Sequence, residues 1–360
     1  MKNIFKRLNS AFNPNQVGYV IFYVTNICNF RCNFCFYSEE ITKGKKNDQL
    51  TLDEIVKIAP KIGPLLQLSL TGGEPFLRKD FTQVADILIK NTKAHFVTIP
   101  TNGSLPERIE DFYSYLLKAH PDSFFRCVFS IEGIGSIHDE LRGVTGSYNK
   151  IIRSYEKVMK LKEKYKNLVV DSNSVFTKNS EDTLIETLKH LRKNFKFDNI
   201  SVTYARGKIP DEKLKSQSRK KYEEVNNFIE QMYRPKEQRR FSSVWRAINS
   251  LTRENIYEVA FNDKFVNPCV ASRKIVIISE TGEVRPCEIL DNSLGKLKDF
   301  DYDLKKVLAS EENRKLKKWI KDSKCKCTFE CATAASIAWN YSFYPKVLKT
   351  SAKTFFNTNK

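Results

Sequence analysis

Along roughly the first 200 residues, short runs of apolar residues alternate with stretches whose apolar positions recur every three or four residues. The first pattern suits strands, whose side chains point by turns to two faces, and the second suits helices with one buried stripe. The strand-like runs fall at 18–24, 66–70, 96–100, 126–131, 168–175 and 199–204. Helical stripes lie between them at 52–62, 81–89, 106–117, 148–161 and 184–191, and another, at 220–232, follows the sixth run. The 52–62 stretch opens with Thr51 and Glu54 at capping-box spacing, and Leu52, Ile55, Ile58, Ala59 and Ile62 share its stripe. Six strand–helix units in alternation predict an α/β fold with a parallel sheet and right-handed crossovers, open or partly closed as a barrel.

The polar tags of this pattern gather at one end of the runs. Cys28-Asn29-Phe30-Arg31-Cys32-Asn33-Phe34-Cys35 follows the first, Gly72-Gly73-Glu74-Pro75 the second and Thr101-Asn102-Gly103 the third. Ser130-Ile131-Glu132-Gly133 ends the fourth, Asn173 lies in the fifth, and Arg206-Gly207 follows the sixth. Parallel α/β barrels build their active sites at that C-terminal rim. The first loop carries three cysteines and no fourth ligand: the next histidine is His95, and the next cysteine, Cys127, sits in an apolar run that reads as core. A four-iron cluster usually takes four thiolates, so three leave one iron open to another ligand, whereas a structural zinc would ask for a fourth protein ligand. His95, His120 and His190 lack partners at metal-ligand spacing and read as surface or capping residues.

Composition narrows the class. With 41% apolar residues in 360, the chain can bury a proper core. Its longest apolar runs fall far short of the roughly 20 residues of a membrane span. The N-terminus has no secretion-signal pattern, which implies a cytoplasmic protein with reduced thiols. Nine cysteines in groups favour metal over disulfides. The net charge of +19 would suit an anionic partner, but 43 lysines against 18 arginines, scattered along helix faces, read as solvated surface. No DNA is expected.

A polar stretch, Arg234-Pro235-Lys236-Glu237-Gln238-Arg239-Arg240, marks a boundary between a domain at 15–233 and another at 234–360. The second holds Cys269, an apolar run from Ile275 with a hairpin turn at Glu280, Thr281 and Gly282, then Pro286-Cys287, Cys325-Lys326-Cys327 and Cys331. One four-iron cluster needs four of these five, and spacing leaves open which of Cys325, Cys327 and Cys331 is spare. A four-cysteine zinc site would look the same. The tail, with Tyr341, Phe343 and Tyr344 among Lys346, Lys349 and Lys353, reads as resting weakly on an anionic membrane surface or packing on its own domain.

The C-x3-C-x2-C loop, Gly72-Gly73-Glu74-Pro75 and the strand-end residues together resemble the radical S-adenosylmethionine (SAM) superfamily. Cys269, the Gly-x-Val-x-Pro-Cys element and the C-x-C-x3-C element resemble its SPASM/twitch extensions. The resemblance covers about residues 18 to 335 and implies a partial (β/α)6 TIM-like barrel with a smaller C-terminal domain of hairpin and helices. It implies a SAM-binding [4Fe-4S] cluster on Cys28, Cys32 and Cys35, and one auxiliary [4Fe-4S] cluster drawn from Cys269, Cys287, Cys325, Cys327 and Cys331. SAM would meet Phe34, Gly72, Gly73, Glu74, Ser130, Arg142, Asn173 and Arg206; on the residues alone, Ser130 and Asn173 could simply tie loops and Arg142 could be a surface ion pair. Glu132 stands where the family pattern has Asp. The implied activity is reductive cleavage of SAM to a 5′-deoxyadenosyl radical that abstracts hydrogen from substrate, with electrons from a donor such as flavodoxin or ferredoxin. The substrate is a peptide or a small molecule, sugar or lipid-linked intermediate; no leader-binding domain precedes Cys28, so a peptide would need a separate recognition protein. The rival reading is a non-catalytic iron–sulfur or zinc protein binding nucleic acid through its charge.

Overall fold

The computed structural model describes residues 13, 16–44, 48–232 and 242–356, with backbone alone for 242 and 353–356. Six parallel strands run side by side: β1 (Tyr19–Thr25), β2 (Gln67–Gly72), β3 (Phe96–Thr101), β4 (Phe124–Ser130), β5 (Leu168–Phe176) and β6 (Asn199–Tyr204). Helices α1 (Ser38–Lys43) and α2 (Leu52–Ile62) follow β1, α3 (Phe81–Thr92) follows β2, and α4 (Pro106–Ala119) follows β3. After β4 come α5 (Ser136–Arg142) and α6 (Ser147–Lys164), and α7 (Leu184–Asn194) precedes β6. β1 and β6 do not pair, in keeping with the partial barrel that the resemblance implied. The short α1 and α5 were not foreseen, because one or two turns display too little periodicity to read. Thr51 and Glu54 cap α2 reciprocally as their spacing implied.

The strands sort their side chains by period two. Leu68, Leu70, Val97, Ile99, Phe125 and Phe129 are fully buried, whereas their neighbours Ser69, Thr98, Arg126 and Ser130 line a cavity within the barrel. Each large apolar side chain so buried contributes roughly 1.5–3 kcal/mol. The fold is therefore held from its helix-facing side, and the inner wall is free to be polar.

The C-terminal part shares most of its core with the barrel. β7 (Ile275–Ile278) pairs in parallel with β1, Tyr19 opposite Ile275, and β8 (Glu283–Arg285) and β9 (Gly295–Lys296) extend the same sheet antiparallel. The expected hairpin exists, closed by the Gly282 N–H donating to the Ser279 carbonyl, but its first strand continues the barrel sheet. One apolar cluster contains Phe22, Ile58 and Tyr222 together with Ile277, Leu304 and Phe329. The boundary stretch 234–240 lies outside the described residues. On either side of it run α8 (Arg219–Met232) and α9 (Ser242–Asn262), followed after β9 by α10 (Leu304–Ala309), α11 (Glu311–Asp322), α12 (Glu330–Ala338) and α13 (Tyr344–Phe356).

α12 spans the gap between β6 and β1. At its start Glu330 accepts from the Tyr204 N–H at 2.6 Å, and past its end the Trp339 ring occupies the space over Gly18, just before β1. α13 packs on α9 and α12 through Val347, Ala247, Ile248, Leu251 and Ile337, so the described part of the tail rests on its own fold; the side chain of Lys353 lies outside the described residues. Among the described residues no helix is long and apolar enough to cross a membrane.

Candidate functional site

One cavity of about 1730 Å³ fills the barrel, and Cys28, Cys32, Cys35, Phe34, Gly72, Gly73, Glu74, Ser130, Arg142, Asn173 and Arg206 all line it. Residues spread over 179 positions of sequence thus share one wall, because the cysteine loop, the Gly-Gly-Glu turn, Ser130, Asn173 and Arg206 sit at or near the C-terminal ends of parallel strands and α5 brings Arg142 to the same rim.

The cysteine loop and the Gly-Gly-Glu turn are built as one unit. The N–H groups of Gly73 and Glu74 donate to the carbonyls of Thr25 and Ile27, each at 2.8 Å. A Cβ on Gly72, at φ +147°, would lie 2.1 Å from the Thr25 oxygen, and one on Gly73 would lie 2.3 Å from that of Ile27. These glycines are therefore required first by the approach of the cysteine loop's own backbone.

All nine cysteines are free thiols. Burial pushes Cys28 up to about 11 and Cys35 to about 12, and in both a backbone N–H, from Phe30 and Tyr37, opposes the rise. The Phe30 N–H lies 3.4 Å from the Cys28 sulfur, and Arg142 Nη1 lies 3.6 Å from that of Cys32. Donors aimed at sulfur are what thiolate ligands of a cluster need, so the donor set fits an iron–sulfur group. Among the described residues, no group of three or more His, Cys, Asp or Glu side chains stands close enough to hold one metal ion.

Glu74 is buried and its carboxylate accepts from Thr101 Oγ1 at 2.8 Å and from the Asn102 N–H at 2.7 Å. Burial raises it to about 7 against these hydrogen bonds. Arg142 is not on the surface: it donates to Glu132 Oε1 at 2.7 Å, and its guanidinium lies 5.5 Å from the Phe34 ring centroid. Burial works against its charge, and Glu132 and Cys32 more than offset that. Glu132 in turn accepts from the Val175 N–H, so the longer side chain found in place of Asp is spent holding Arg142. The Arg142 Nε is buried with no partner among the described residues.

Asn173 donates to Thr203 Oγ1 and accepts from Ser201 Oγ, which ties β5 to β6 at the cavity wall. Arg206 points toward the C-terminal part, with Nη2 2.8 Å from Glu288 and Nη1 3.2 Å from Glu330. It is sandwiched between Phe36, one residue past Cys35, and Phe329, two residues past Cys327, at 4.7 and 4.9 Å. Sequence reasoning missed Glu288 and Glu330; nothing in their local pattern signals a partner just past β6.

The second cysteine group divides. Burial raises Cys287 and Cys327 to about 12, and the charges of Cys269 and Cys325 add to both. The N–H groups of Ala271 and Leu290 lie 3.4 Å from the sulfurs of Cys269 and Cys287. Cys331 stands apart: burial raises it to about 11, its neighbours are Glu288, Arg206, Tyr19 and Glu330, and it lines the cavity. Its surroundings thus differ from those of Cys287 and Cys327. Cys127 is fully buried against Tyr113, and His120 pairs with Asp86 at 2.8 Å, in line with their structural readings.

The family profile described as Radical SAM superfamily matches residues 22–202. The chain belongs to the radical SAM superfamily, and that membership brings SAM and a [4Fe-4S] cluster with it. Among curated proteins it is similar to GTP 3′,8-cyclase of Desulforamulus reducens, 29% identical over 155 residues, or 42% of this chain and 45% of that one. The counterpart in Haemophilus ducreyi is 35% identical over 95 residues, 26% of this chain and 28% of that one. The chain thus spans about half or less of the length of these relatives. Among solved structures, native anSMEcpe with bound AdoMet aligns at a TM-score of 0.60 and 17% identity, covering 95% of this chain and 99% of that one. Streptococcus suis SuiB bound to S-adenosylmethionine aligns at 0.58 and 19% identity, covering 86% and 69%. These likenesses show the fold.

Proposed function

We propose that this chain binds SAM against Cys28, Cys32 and Cys35 and uses it to take a hydrogen atom from a substrate held deeper in the same cavity. The observation that carries this reading is the convergence of the three thiols with Glu74, Ser130, Arg142 and Asn173 on one cavity larger than the roughly 300–1,000 Å³ of most ligand sites. When bound, the cluster and SAM supply a 5′-deoxyadenosyl radical. The chain's own part is orientation. Glu74, fixed by Thr101 and Asn102, offers its remaining lone pairs to an ammonium group. Arg142, braced by Glu132, presents its unpartnered Nε toward a carboxylate. Phe34, Ser130 and Asn173 line the wall that an adenine and ribose would meet.

In the same reading Cys269, Cys287, Cys325 and Cys327 hold one auxiliary [4Fe-4S] cluster, and Cys331 is the spare cysteine, left to the cavity. Arg206 clamps the two cysteine regions together rather than touching SAM. The division at 233 is then functional, a SAM-binding barrel and an auxiliary-cluster unit sharing one sheet. The curated relatives are named for GTP, whereas anSMEcpe was solved with a peptide and SuiB with its precursor peptide SuiA, so nucleotide and peptide substrates both have precedent. The non-catalytic nucleic-acid reading is not favoured by the family match. The test is anaerobic reconstitution followed by dithionite and SAM: slow formation of 5′-deoxyadenosine is expected, and its absence from iron-loaded protein would refute the proposal.

A further inference from the structure

Most of the cavity wall is apolar, as in ligand sites generally, so the placement of its polar groups is what can orient a ligand. Its cations share one trait. Among the described residues Arg31, Arg126, Arg142, Arg206, Arg246 and Arg253 line the cavity and no lysine does, although lysines outnumber arginines 43 to 18 in the chain. A guanidinium keeps its charge and matches phosphate or carboxylate with a planar fork. Two of the six, Arg246 and Arg253, stand together with uncharged donors on α9.

Arg246, Asn249, Ser250 and Arg253 fall at i, i+3, i+4 and i+7 of that helix and all line the cavity, while Ala247, Ile248 and Leu251 on its other side pack with Ile337 and Val347. At 1.5 Å per residue the polar stripe runs about 10 Å. It starts at an opening, since Trp245 lines the cavity and is 49% exposed, and it heads toward the cysteine rim, since Phe261 near the end of α9 meets the ring of Tyr204, the last residue of β6, at 5.9 Å. Among the described residues the side chains of Asn249 and Ser250 make no hydrogen bond. Arg253 gives Nη2 to Glu230 and leaves its buried Nε without a partner. Glu230 is 51% exposed, whereas the carboxylates facing Arg126 and Arg142 are 2% and 1% exposed, so Glu230 can turn to water at little cost. The stripe lies beyond the residues 22–202 that the family profile matches.

We propose that the α9 stripe is a phosphate-binding subsite, and that the substrate is a small molecule anchored there by a phosphate or diphosphate, with its remainder laid along the apolar wall toward the cysteine loop. The donors decide between oxyanions. Leaving out Arg246 and the buried Nε of Arg253, the stripe still offers about six N–H and O–H groups that the protein does not use, more than the roughly four lone-pair positions of one carboxylate. A phosphate brings three acceptor oxygens and up to two charges. An anion in a mostly apolar cavity needs such partners to offset its desolvation.

The inference rests on the reading that this cavity holds a substrate beside SAM, and its test needs no SAM. Anaerobically reconstituted protein is titrated with sodium pyrophosphate, inorganic phosphate and glutarate, followed by calorimetry and by tryptophan fluorescence, to which Trp245 reports from beside the stripe. Pyrophosphate should bind saturably and about tenfold tighter than glutarate. Arg253→Gln should weaken it about tenfold or more, and the double variant Asn249→Ala with Ser250→Ala, which alters no charge and carries the test if the first fails to fold, about tenfold. Glu230→Gln should tighten it about threefold, because Arg253 then keeps its whole fork for the anion, a gain that a purely structural pair would not give. No saturable pyrophosphate binding, glutarate binding just as tight, or binding that survives the double variant, as attachment to surface lysines would, overturns the proposal. Formation of 5′-deoxyadenosine by the wild-type protein with no anion added judges the SAM-site reading independently.

Discussion

The two cysteine regions, each proposed to hold one cluster, are built by opposite routes. Cys28, Cys32 and Cys35 lie within eight residues of one loop, pinned at its base by the backbone of Gly73 and Glu74. Cys269, Cys287, Cys325 and Cys327 arrive from before β7, after β8 and after α11, so only the finished fold, with β7 paired to β1, can bring them near one another. A ligand set made by one loop needs little beyond that loop's turn, whereas one gathered from distant segments is a product of the finished fold and pays more loop-closure entropy. The clamp at Arg206 joins them, its guanidinium lying between the phenylalanines that follow Cys35 and Cys327.

The largest effect separates the regions outright. Changing Cys28, Cys32 and Cys35 together to alanine should abolish 5′-deoxyadenosine formation and lower bound iron from about eight to about four per chain, read by chromatography and iron assay. Changing Cys269 and Cys287 to alanine should cost the other four or so irons while dithionite-driven SAM cleavage stays measurable. If the second pair abolishes cleavage as completely as the first triplet, the two regions are not separable as described.

Removing the clamp should destabilise more than it deactivates. Arg206→Ala leaves Glu288 and Glu330 buried without their cation, and urea unfolding should show a loss of about 3–5 kcal/mol. Affinity for SAM should hold within about threefold if Arg206 makes no SAM contact. A stable variant that has lost SAM binding would return Arg206 to the cofactor.

A smaller effect belongs to Glu74. Burial raises its carboxyl from 4.5 to about 7, so between those values the folded apo chain holds a proton that the unfolded chain has released. Stability should therefore fall as pH climbs from about 4.5 to about 7, by about 3 kcal/mol at the limit, and Glu74→Gln should flatten the slope of unfolding midpoint against pH. Smallest of all, Cys331→Ser should retain the full iron content, whereas Cys327→Ser should not.

The order of six strands and five intervening helices, and the gathering of polar motifs at one rim, were legible in the sequence. Both follow from local periodicity, and parallel strands send all their C-terminal ends to one side. The cysteine loop was legible for the same reason, since its three ligands are neighbours in the chain. Other features depend on residues far apart in sequence, and only tertiary structure decided them. Arg206 meets a glutamate 124 positions away, and Cys331 leaves its neighbours Cys325 and Cys327 to face Tyr19 because α12 turns it into the barrel. Likewise β7 looked like half of a separate hairpin, since its apolar run Ile275–Ile278 fits any partner; the free edge of β1 decided which one.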